Sequence, residues 1–330
     1  MVTRPVRFAG VPTSSDPATI GLDVGGTKVL GVAMRADGEV VAEHREPTPR
    51  GGEAVIAAMV ETVRQLQTSV DGVAAVGAGV PGLVDRSGRL RFAPNLPGVV
   101  ELPVATLLAE GTGLPVRIDN DATCALWGEH EAGVARGGDD VLLVTLGTGI
   151  GGGLMLDGRL TRGANGFAGE FGHMVVDADG IACPCGRRGC WERYASGSGL
   201  ARLARDAADA GSGWRMVDLA GGDVSELRGE HVTAAAIEGD PGALAVVAAF
   251  GEWFALGLAN LVAIVDVGTC VIGGGLVEAG DTLLGPVRDA VAQRLVGVGH
   301  RPSVEVLAAE LGEHAGAVGA AHLAREALGG

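Results

Sequence analysis

The sequence has few aromatic residues: Phe, Trp and Tyr make up 3% of 330 positions, and there is one tyrosine. A hydrophobic core therefore has to be built from Val, Leu, Ala and Ile. Hydrophobic residues reach 47% and charged residues 20%, a composition too apolar for a disordered chain. A chain of this length usually divides into two domains, so the sequence predicts a globular protein with a cleft between them.

Basic residues are scarce compared with acidic ones. There are 25 Lys and Arg against 40 Asp and Glu, which gives a formal net charge of −15. Such a surface repels both phosphate backbones and anionic lipid. We expect no nucleic-acid partner.

Uninterrupted apolar runs and a signal sequence are also missing. Residues 242–265 are the longest apolar stretch, but Glu252 and Asn260 interrupt it, so no membrane span or membrane partner is expected. The N-terminus has no signal-peptide core, and residues 1–18 are predicted to be a disordered leader. The five cysteines are an odd number with three between residues 183 and 190, which favours a metal site over a disulfide framework. A cytoplasmic location is therefore expected.

Glycine, by contrast, is abundant, with 57 residues. Two patterns read as strand, glycine turn, strand: DVGGTK at 23–28 and TLGTGIGGG at 145–153. Backbone N–H groups at such tips can converge on phosphate oxygens, and Asp23 could hold Mg²⁺ through water. A plain tight turn would explain the first pattern equally well if it stood alone. A third cluster follows at residues 273–275.

Apolar periodicity and turn residues predict the remaining elements. Residues 211–229, rich in Gly, Asp, Ser and Glu, are predicted to be a surface connection. The predicted strands are 19–24, 29–34, 39–46, 73–78, 116–118, 141–146, 152–156 and 270–272, and the predicted helices are 53–67, 103–109, 122–132, 241–265 and 315–328.

Four residues have the composition of a closed tetrahedral zinc site: His173, Cys183, Cys185 and Cys190. A closed site is structural. Ordinary reduced cysteines in a loop are the alternative, but three in eight residues with glycines between them are hard to explain by packing. Cys124 and Cys270 are predicted to be small buried hydrophobic residues.

Two phosphate-binding turns followed by a third glycine cluster resemble the layout of the actin-like ATPase (ribonuclease H-like) and sugar-kinase superfamily. GEFGH at 169–173 and CPCGRRGCWE at 183–192 make the resemblance specific, because they are similar to the ROK family of bacterial sugar kinases and repressors, and within it to actinobacterial glucokinases. FAPN (92–95), DNDA (119–122) and WGE (127–129) extend the resemblance over nearly the whole chain. It implies a two-domain α/β fold with a cleft, a small domain at 19–121 on which helix 315–328 packs, and a large domain at 122–314 containing the zinc loop 173–192.

The resemblance also implies roles for individual residues. Asp121 matches the catalytic base, and His173 would bind zinc through one ring nitrogen and a sugar hydroxyl through the other. Lys28 is a further candidate near the phosphates, although related kinases vary there. The sugar-contacting positions are Gly82, Asn95, Asn120, Asp121, Glu170, His173 and Glu192. The positions for ATP and Mg²⁺ are Asp23, Gly25, Gly26, Thr27, Lys28, Thr148, Gly149, Gly274 and Gly275.

The implied activity is ATP-dependent phosphorylation of glucose at its 6-hydroxyl, by a homodimer or homotetramer. Selectivity among hexoses needs several carboxylate and amide side chains, which the sequence supplies. Three alternatives stay open: another hexose as substrate (N-acetylmannosamine, N-acetylglucosamine or fructose), polyphosphate as donor, and a sugar-sensing repressor. The repressors of the family carry an N-terminal helix-turn-helix module, whereas about 18 residues precede the first predicted strand here.

Overall fold

The computed structural model describes residues 17–93 and 96–328, and its chain divides into two compact units. The first unit contains the chain up to residue 139, residues 153–169 and the chain from residue 310. The second contains residues 140–152 and 170–309. The first unit thus extends past the boundary predicted at residue 121, and it includes the C-terminal helix. The predicted leader lies outside the described residues except for its last two, and Ala18 already belongs to a strand.

The first unit is built on a five-stranded sheet with the order β3-β2-β1-β4-β8. Strands β1, β2 and β3 pair antiparallel, whereas β4 pairs parallel with both β1 and β8. Strand β8 is therefore an edge of the sheet. The strands are β1 (Ala18–Val24), β2 (Lys28–Met34), β3 (Val40–Pro47), β4 (Val73–Val80) and β8 (Val116–Asn120).

Helices cover both faces of this sheet. One face carries α1 (Gly52–Gln67) and α2 (Val104–Thr112), whose apolar residues join Ile20 and Leu22 of β1 in the main core. Side chains alternate along a strand, so Gly21 and Asp23 face the opposite way. There the sheet meets α10 (Ala315–Ala324), which packs in turn on α3 (Asp121–Ala132).

Close approach between α10 and the sheet depends on Gly77 of β4. A Cβ at this position would lie 1.8 Å from the carbonyl oxygen of Ala320 in α10, so any side chain would push the helix away. The segment GAGVPG at residues 77–82, which ends at the predicted sugar contact Gly82, thus begins with a packing glycine.

The far end of α3 is fastened by Glu129, which is fully buried. Its carboxylate accepts backbone N–H groups from Val134, Glu310 and Leu311 at 2.8–3.1 Å. Backbone donors thus satisfy a charge that would be costly to bury alone. The glutamate of the WGE segment therefore joins the end of α3 to the turn that leads into α10.

A small antiparallel sheet completes the first unit. Its strands are β5 (Leu83–Val84), β6 (Leu90–Phe92) and β7 (Val100–Leu102). Neither this sheet nor its register was among the sequence predictions.

The second half of the chain repeats the first topology in a sheet of order β11-β10-β9-β12-β13, with β12 parallel to β9 and β13. The chain passes from the second unit into the first within β10. The strands are β9 (Val141–Leu146), β10 (Ile150–Leu156), β11 (Arg159–Leu160), β12 (Thr269–Gly273) and β13 (Glu305–Ala308). The helices of the second unit are α4 (Glu192–Ala195), α5 (Gly197–Asp209), α6 (Trp214–Leu219), α7 (Gly229–Ile237), α8 (Pro241–Val265) and α9 (Asp281–Arg294).

Helix α8 is the central helix of the second unit and has the bounds predicted from the sequence. By length and composition alone it could cross a membrane, the one such helix among the described residues. Of its most apolar window, 56% is buried inside the protein, and Glu252 pairs with Arg294 of α9. This burial is typical of a core helix.

The predicted surface connection contains local structure that its composition did not indicate. Residues 211–229 contain α6 and a short 3-10 turn at Val224–Glu226. The polar composition of the segment did not predict this helix. Met216 and Val217 are the only two residues of α6 that are buried, so no apolar periodicity marks it.

Candidate active site

The tip of the β1–β2 hairpin holds the first predicted phosphate-binding residues. The N–H of Gly25 bonds the carbonyl of Lys28 at 2.8 Å, which closes the turn over Gly26 and Thr27. Thr48, after β3, supports the turn because its hydroxyl donates to the carbonyl of Gly25 at 2.7 Å. Gly26 and Thr27 are exposed at the tip.

Lys28 does not stand free beside the turn. Its ammonium pairs with the carboxylate of Glu313, which Arg45 also binds at 2.7 Å. These two cations lower the pKa of Glu313 to about 2. Lys28 therefore already has a partner in the protein.

Asp23 lies beneath the turn, facing α10. A Cβ at Gly316, in the first turn of α10, would lie 2.7 Å from Asp23 Cγ, so this glycine makes room for the carboxylate. Burial and then the charge of Asp121 raise the pKa of Asp23 to about 7, against the opposing effect of Lys28. A cation near Asp23 would relieve this cost, as a magnesium site requires.

Asn120 and Asp121 stand where β8 passes into α3. Asn120 is the N-cap, and its side-chain oxygen accepts the N–H groups of Ala122 at 2.9 Å and Thr123 at 3.2 Å. Asp121 follows as the first helical residue and shares the N–H of Ala122. Burial raises the pKa of the Asp121 carboxyl, which is the direction expected for a proton acceptor held out of water.

Gly82 lies beside this junction. The amide of Asn120 donates to its carbonyl at 3.2 Å, and its φ of 101° is a conformation that glycine adopts without strain. Asn95, another predicted sugar contact, lies outside the described residues.

Two residues that the sequence reading passed over also belong to the junction. Asp119 is 7% exposed, and its carboxylate accepts Arg162 Nε at 2.6 Å. Asp119 stands in the DNDA segment, and its position directly before the cap was a usable signal. Arg162 comes from a different part of the chain, so no local pattern could connect the two.

In the second unit, the β9–β10 hairpin holds Thr148 and Gly149 at its tip. Ser198 of α5 donates to the carbonyl of Thr148 at 2.8 Å, and the N–H of Gly197 donates to that of Gly147 at 2.8 Å. Gly149 lies against Glu192, because a Cβ there would be 2.7 Å from the Glu192 carboxylate.

Next to this hairpin is a cavity of about 780 Å³, formed entirely by the second unit. Thr148 and Gly275 line it together with the first turns of α5 and α7, and its size suits a nucleoside. Gly274, with φ 89°, is not in the lining, but it sets the turn that carries Gly275.

The predicted metal ligands come together in the loop before α4. The ligand atoms of His173, Cys183, Cys185 and Cys190 all lie within 4.8 Å of one another. Cys185 Sγ is 3.6 Å from Cys190 Sγ, and His173 Nδ1 is 3.8 Å from Cys183 Sγ. Zinc–sulfur bonds of about 2.3 Å in a tetrahedron place two sulfurs about 3.8 Å apart. The four residues therefore fit a structural zinc ion.

The orientation of His173 separates its two ring nitrogens. Nδ1 faces the cysteines, whereas Nε2 lies 3.8 Å from the carboxylate of Glu170. Glu192 Oε1 is 3.3 Å from Cys183 Sγ and 3.7 Å from His173 Nδ1. The three predicted sugar contacts of this unit, Glu170, His173 and Glu192, are thus neighbours.

Trp191 anchors this loop to the core of the second unit. The residue is fully buried, and its ring lies against Gly257 of α8, where a Cβ would come within 2.1 Å of the ring. Its ring centroid also lies 5.2 Å from that of Phe254, with the two rings tilted by 35°. Trp191 stands between Cys190 and Glu192 in the chain, so its contact with α8 also holds these two neighbours in position.

The arrangement of these elements matches a known family. The sequence profile of the ROK family covers residues 19–327. The chain belongs to the ROK family. Its similarity to individual ROK proteins extends over almost the entire length.

Two curated ROK relatives and one solved structure illustrate this similarity. The chain is 40% identical to the glucokinase of Streptomyces coelicolor over 93% of this chain and 98% of that one, and 36% identical to the glucokinase of Thermotoga maritima over 94% and 98%. A ROK glucokinase from Streptomyces griseus, solved with glucose and AMPPNP, aligns with a TM-score of 0.86 and 39% identity over 94% of this chain and 99% of that one. The predicted α/β actin-like kinase fold is confirmed.

Proposed function

We propose that the protein is a glucokinase that transfers the terminal phosphoryl group of ATP to the 6-hydroxyl of glucose. The observation that carries the proposal is that Asn120 caps α3, so the partly buried carboxylate of Asp121, whose pKa is raised, is available for chemistry. The similarity to enzymes named glucokinases, one of them solved with glucose and a nucleotide analogue, supports the choice of substrates.

Phosphoryl transfer asks the protein mainly to position the reactants and to stabilise charge. Asp121 would orient the attacking hydroxyl and accept its proton as the bond from the sugar oxygen to the terminal phosphorus forms and the bond from that phosphorus to the ADP leaving group breaks. A hydroxyl that keeps its proton is a poor nucleophile, so a nearby carboxylate supplies what the sugar lacks. Asp23 would hold Mg²⁺ through water, and the ion would neutralise charge on the phosphates.

The nucleotide would be held by glycine turns from both halves of the sequence. Gly25 closes the first turn through its bond to Lys28, and the exposed tip at Gly26 and Thr27 and the tip at Thr148 and Gly149 would offer backbone N–H groups to phosphate oxygens. The 780 Å³ cavity beside Thr148 and Gly275 is the proposed adenosine site. A nucleoside-sized cavity favours ATP over polyphosphate, which has no base to fill it.

The sugar contacts proposed for the second unit are Glu170, His173 and Glu192, and for the first Gly82, Asn95 and Asn120. Zinc bound to His173 Nδ1 would fix the ring tautomer, so that Nε2 carries the proton and donates to a sugar hydroxyl. In this scheme the metal shapes sugar recognition and takes no part in phosphoryl transfer.

We further propose a cytoplasmic enzyme that forms a homodimer or a dimer of dimers. A reducing compartment fits the five cysteines, all of which are free. Light scattering at micromolar concentration checks the assembly, and a single-subunit mass would contradict it.

A phosphorylation screen of the purified protein tests the function. Glucose, N-acetylmannosamine, N-acetylglucosamine and fructose are each offered with ATP and with polyphosphate, and the sugar phosphate is quantified. We expect the highest kcat/KM for glucose with ATP. A preference for an acetamido sugar would change the assigned substrate, and a preference for polyphosphate would change the assigned donor. The absence of any transfer would refute the proposal that the protein is a kinase.

A further inference from the structure

The contact between Asp119 and Arg162 has the features of a built interaction. Asp119 is almost fully buried at the end of β8, and one carboxylate oxygen accepts Arg162 Nε at 2.6 Å. The other accepts the backbone N–H of Asn120 at 2.9 Å. Asp119 is therefore held between its own backbone and a guanidinium that is 43 residues away in the chain.

Strand β8 needs such a tie because it lies at the edge of its sheet and, within the described part of the chain, pairs only with β4. The strand ends at Asn120, and Asp121 begins α3 immediately afterwards. Arg162 comes from the segment after β11 and supplies a lateral contact at the point where the strand ends. The bond to Asp119 thus restrains the backbone that carries Asp121.

The same contact balances charge around the first turn of α3. Four charged side chains lie close enough to the buried thiol of Cys124, one turn after Asp121, to affect its pKa. Among the described residues, Lys28 of β2 is the cation whose charge acts on Asp23, and it is paired with Glu313. Helix α10 and strand β4 approach α3 through glycines, Gly319 and Gly79. The four side chains are Asp23, Asp119, Asp121 and Arg162.

We propose that Arg162 is a positioning residue for the reaction, which holds the β8–α3 junction through Asp119 and cancels the charge of Asp119, so that Asp121 faces its substrate as a carboxylate. The proposal rests on the proposed function. Without Arg162, Asp119 would be a buried carboxylate with no cation beside it, two residues from Asp121. A like charge at that distance disfavours the ionised form of Asp121.

Four proteins test the proposal: wild type, Arg162→Gln, Asp119→Asn and the double variant Asp119→Asn/Arg162→Gln. The pH dependence of kcat is measured for each with the preferred sugar and donor. The titration of Asp121 is followed separately by carboxyl-carbon NMR on aspartate-labelled protein, with Asp121→Asn assigning the resonance. This second readout does not require turnover, so it reports on Arg162 even if the proposed activity is wrong.

Loss of Arg162 alone should move the acid limb of kcat and the NMR titration of Asp121 upward by about 1–3 pH units, the range for a nearby charge. The KM for glucose should stay within about threefold, since the sugar contacts are intact. The double variant should regain the wild-type limb, because it removes the unpaired negative charge along with the cation. Arg162→Lys, which keeps the charge, should lie close to wild type in pH dependence.

The exposed Arg91, which forms ion pairs with Asp85 and Glu101, provides a matched control in the same unit. Arg91→Gln should leave the acid limb unchanged, and thermal unfolding of every variant separates charge effects from loss of fold. If Arg162→Gln keeps the wild-type limb and titration, Arg162 has no such role. If the double variant is as impaired as the single one, Arg162 acts by another route than cancelling the charge of Asp119.

Discussion

Asn120 Oδ1 and Asp121 Oδ1 both accept the N–H of Ala122, each at 2.9 Å. Because Asn120 also bonds Thr123, the cap of α3 does not depend on Asp121. The cap and the proposed base can therefore be tested apart.

Replacing Asp121 with Asn should lower kcat by about 10²–10⁴-fold, the usual range for loss of a general base. The melting temperature and glucose affinity should hardly change, because Asn120 still caps the helix. Steady-state kinetics, glucose titration and thermal unfolding measure the three quantities. Asp71→Asn, an exposed substitution in the same unit, is the control. A variant that kept more than about a tenth of wild-type kcat would contradict the assignment, given that range.

The raised pKa of Asp23 should affect how the unfolding free energy depends on pH. Its pKa rises from 3.8 to about 7 in the folded protein, so the proton binds the folded state more tightly than the unfolded chain. The stability that this protonation contributes is complete below the unfolded pKa and is lost as the pH rises through about 7. Without Mg²⁺ or nucleotide, the unfolding free energy of Asp23→Asn should therefore exceed that of wild type by an amount that grows as the pH rises from about 4 to about 7 and then levels off. Urea unfolding across this range checks the prediction, and a difference that does not vary with pH would argue against the raised pKa of Asp23.

The same position should matter for turnover. Asp23→Ala is expected to lower kcat with MgATP much more than it weakens glucose binding measured without nucleotide, because the proposed role of Asp23 concerns the metal and phosphates. Equal losses in both measurements would point to a different role.

Replacing Gly316 with Ala should displace the Asp23 carboxylate, because the new Cβ would lie 2.7 Å from its Cγ. A misplacement of about 1 Å can cost about 10²-fold in rate, so we expect a kcat loss of that order. Gly268→Ala is the matched control, since a Cβ there meets nothing within 4 Å. An unchanged kcat in Gly316→Ala would show that α10 shifts to accommodate the new methyl group and leaves Asp23 in place.

Removing one cysteine tests the metal site. Cys185→Ala should lose bound zinc and most glucose affinity, because in the proposed scheme zinc would orient His173 and hold the loop that carries Glu192. Elemental analysis and glucose titration measure both, and Cys270→Ala, which alters a buried thiol in β12, should retain the metal. A Cys185 variant without metal but with wild-type glucose affinity would refute the link between zinc and sugar.

How much the sequence could predict depended on how local the signal was. The glycine turns, the metal ligands and α8 are encoded in short patterns, and the structure has each of them in its expected place. The relation of Arg162 to Asp119, like that of Gly316 to Asp23, joins segments far apart in the chain, and no periodicity reports such a pair. Lys28 illustrates the same limit, since its partner Glu313 is 285 residues away.

The packing of α10 against β1, β4 and α3 also constrains the order in which the two units can fold during synthesis. Residues 310–324 leave the ribosome only after all of the second unit has been synthesised. Until then, the face of the first sheet that carries Gly21, Asp23 and Gly77 lacks α10, although α3 contacts the same face at Gly79, so the second unit can finish folding before the first. A nascent chain stalled before residue 310 should therefore present this glycine-lined face to chaperones, and catalytic competence should arise only with the delayed arrival of α10.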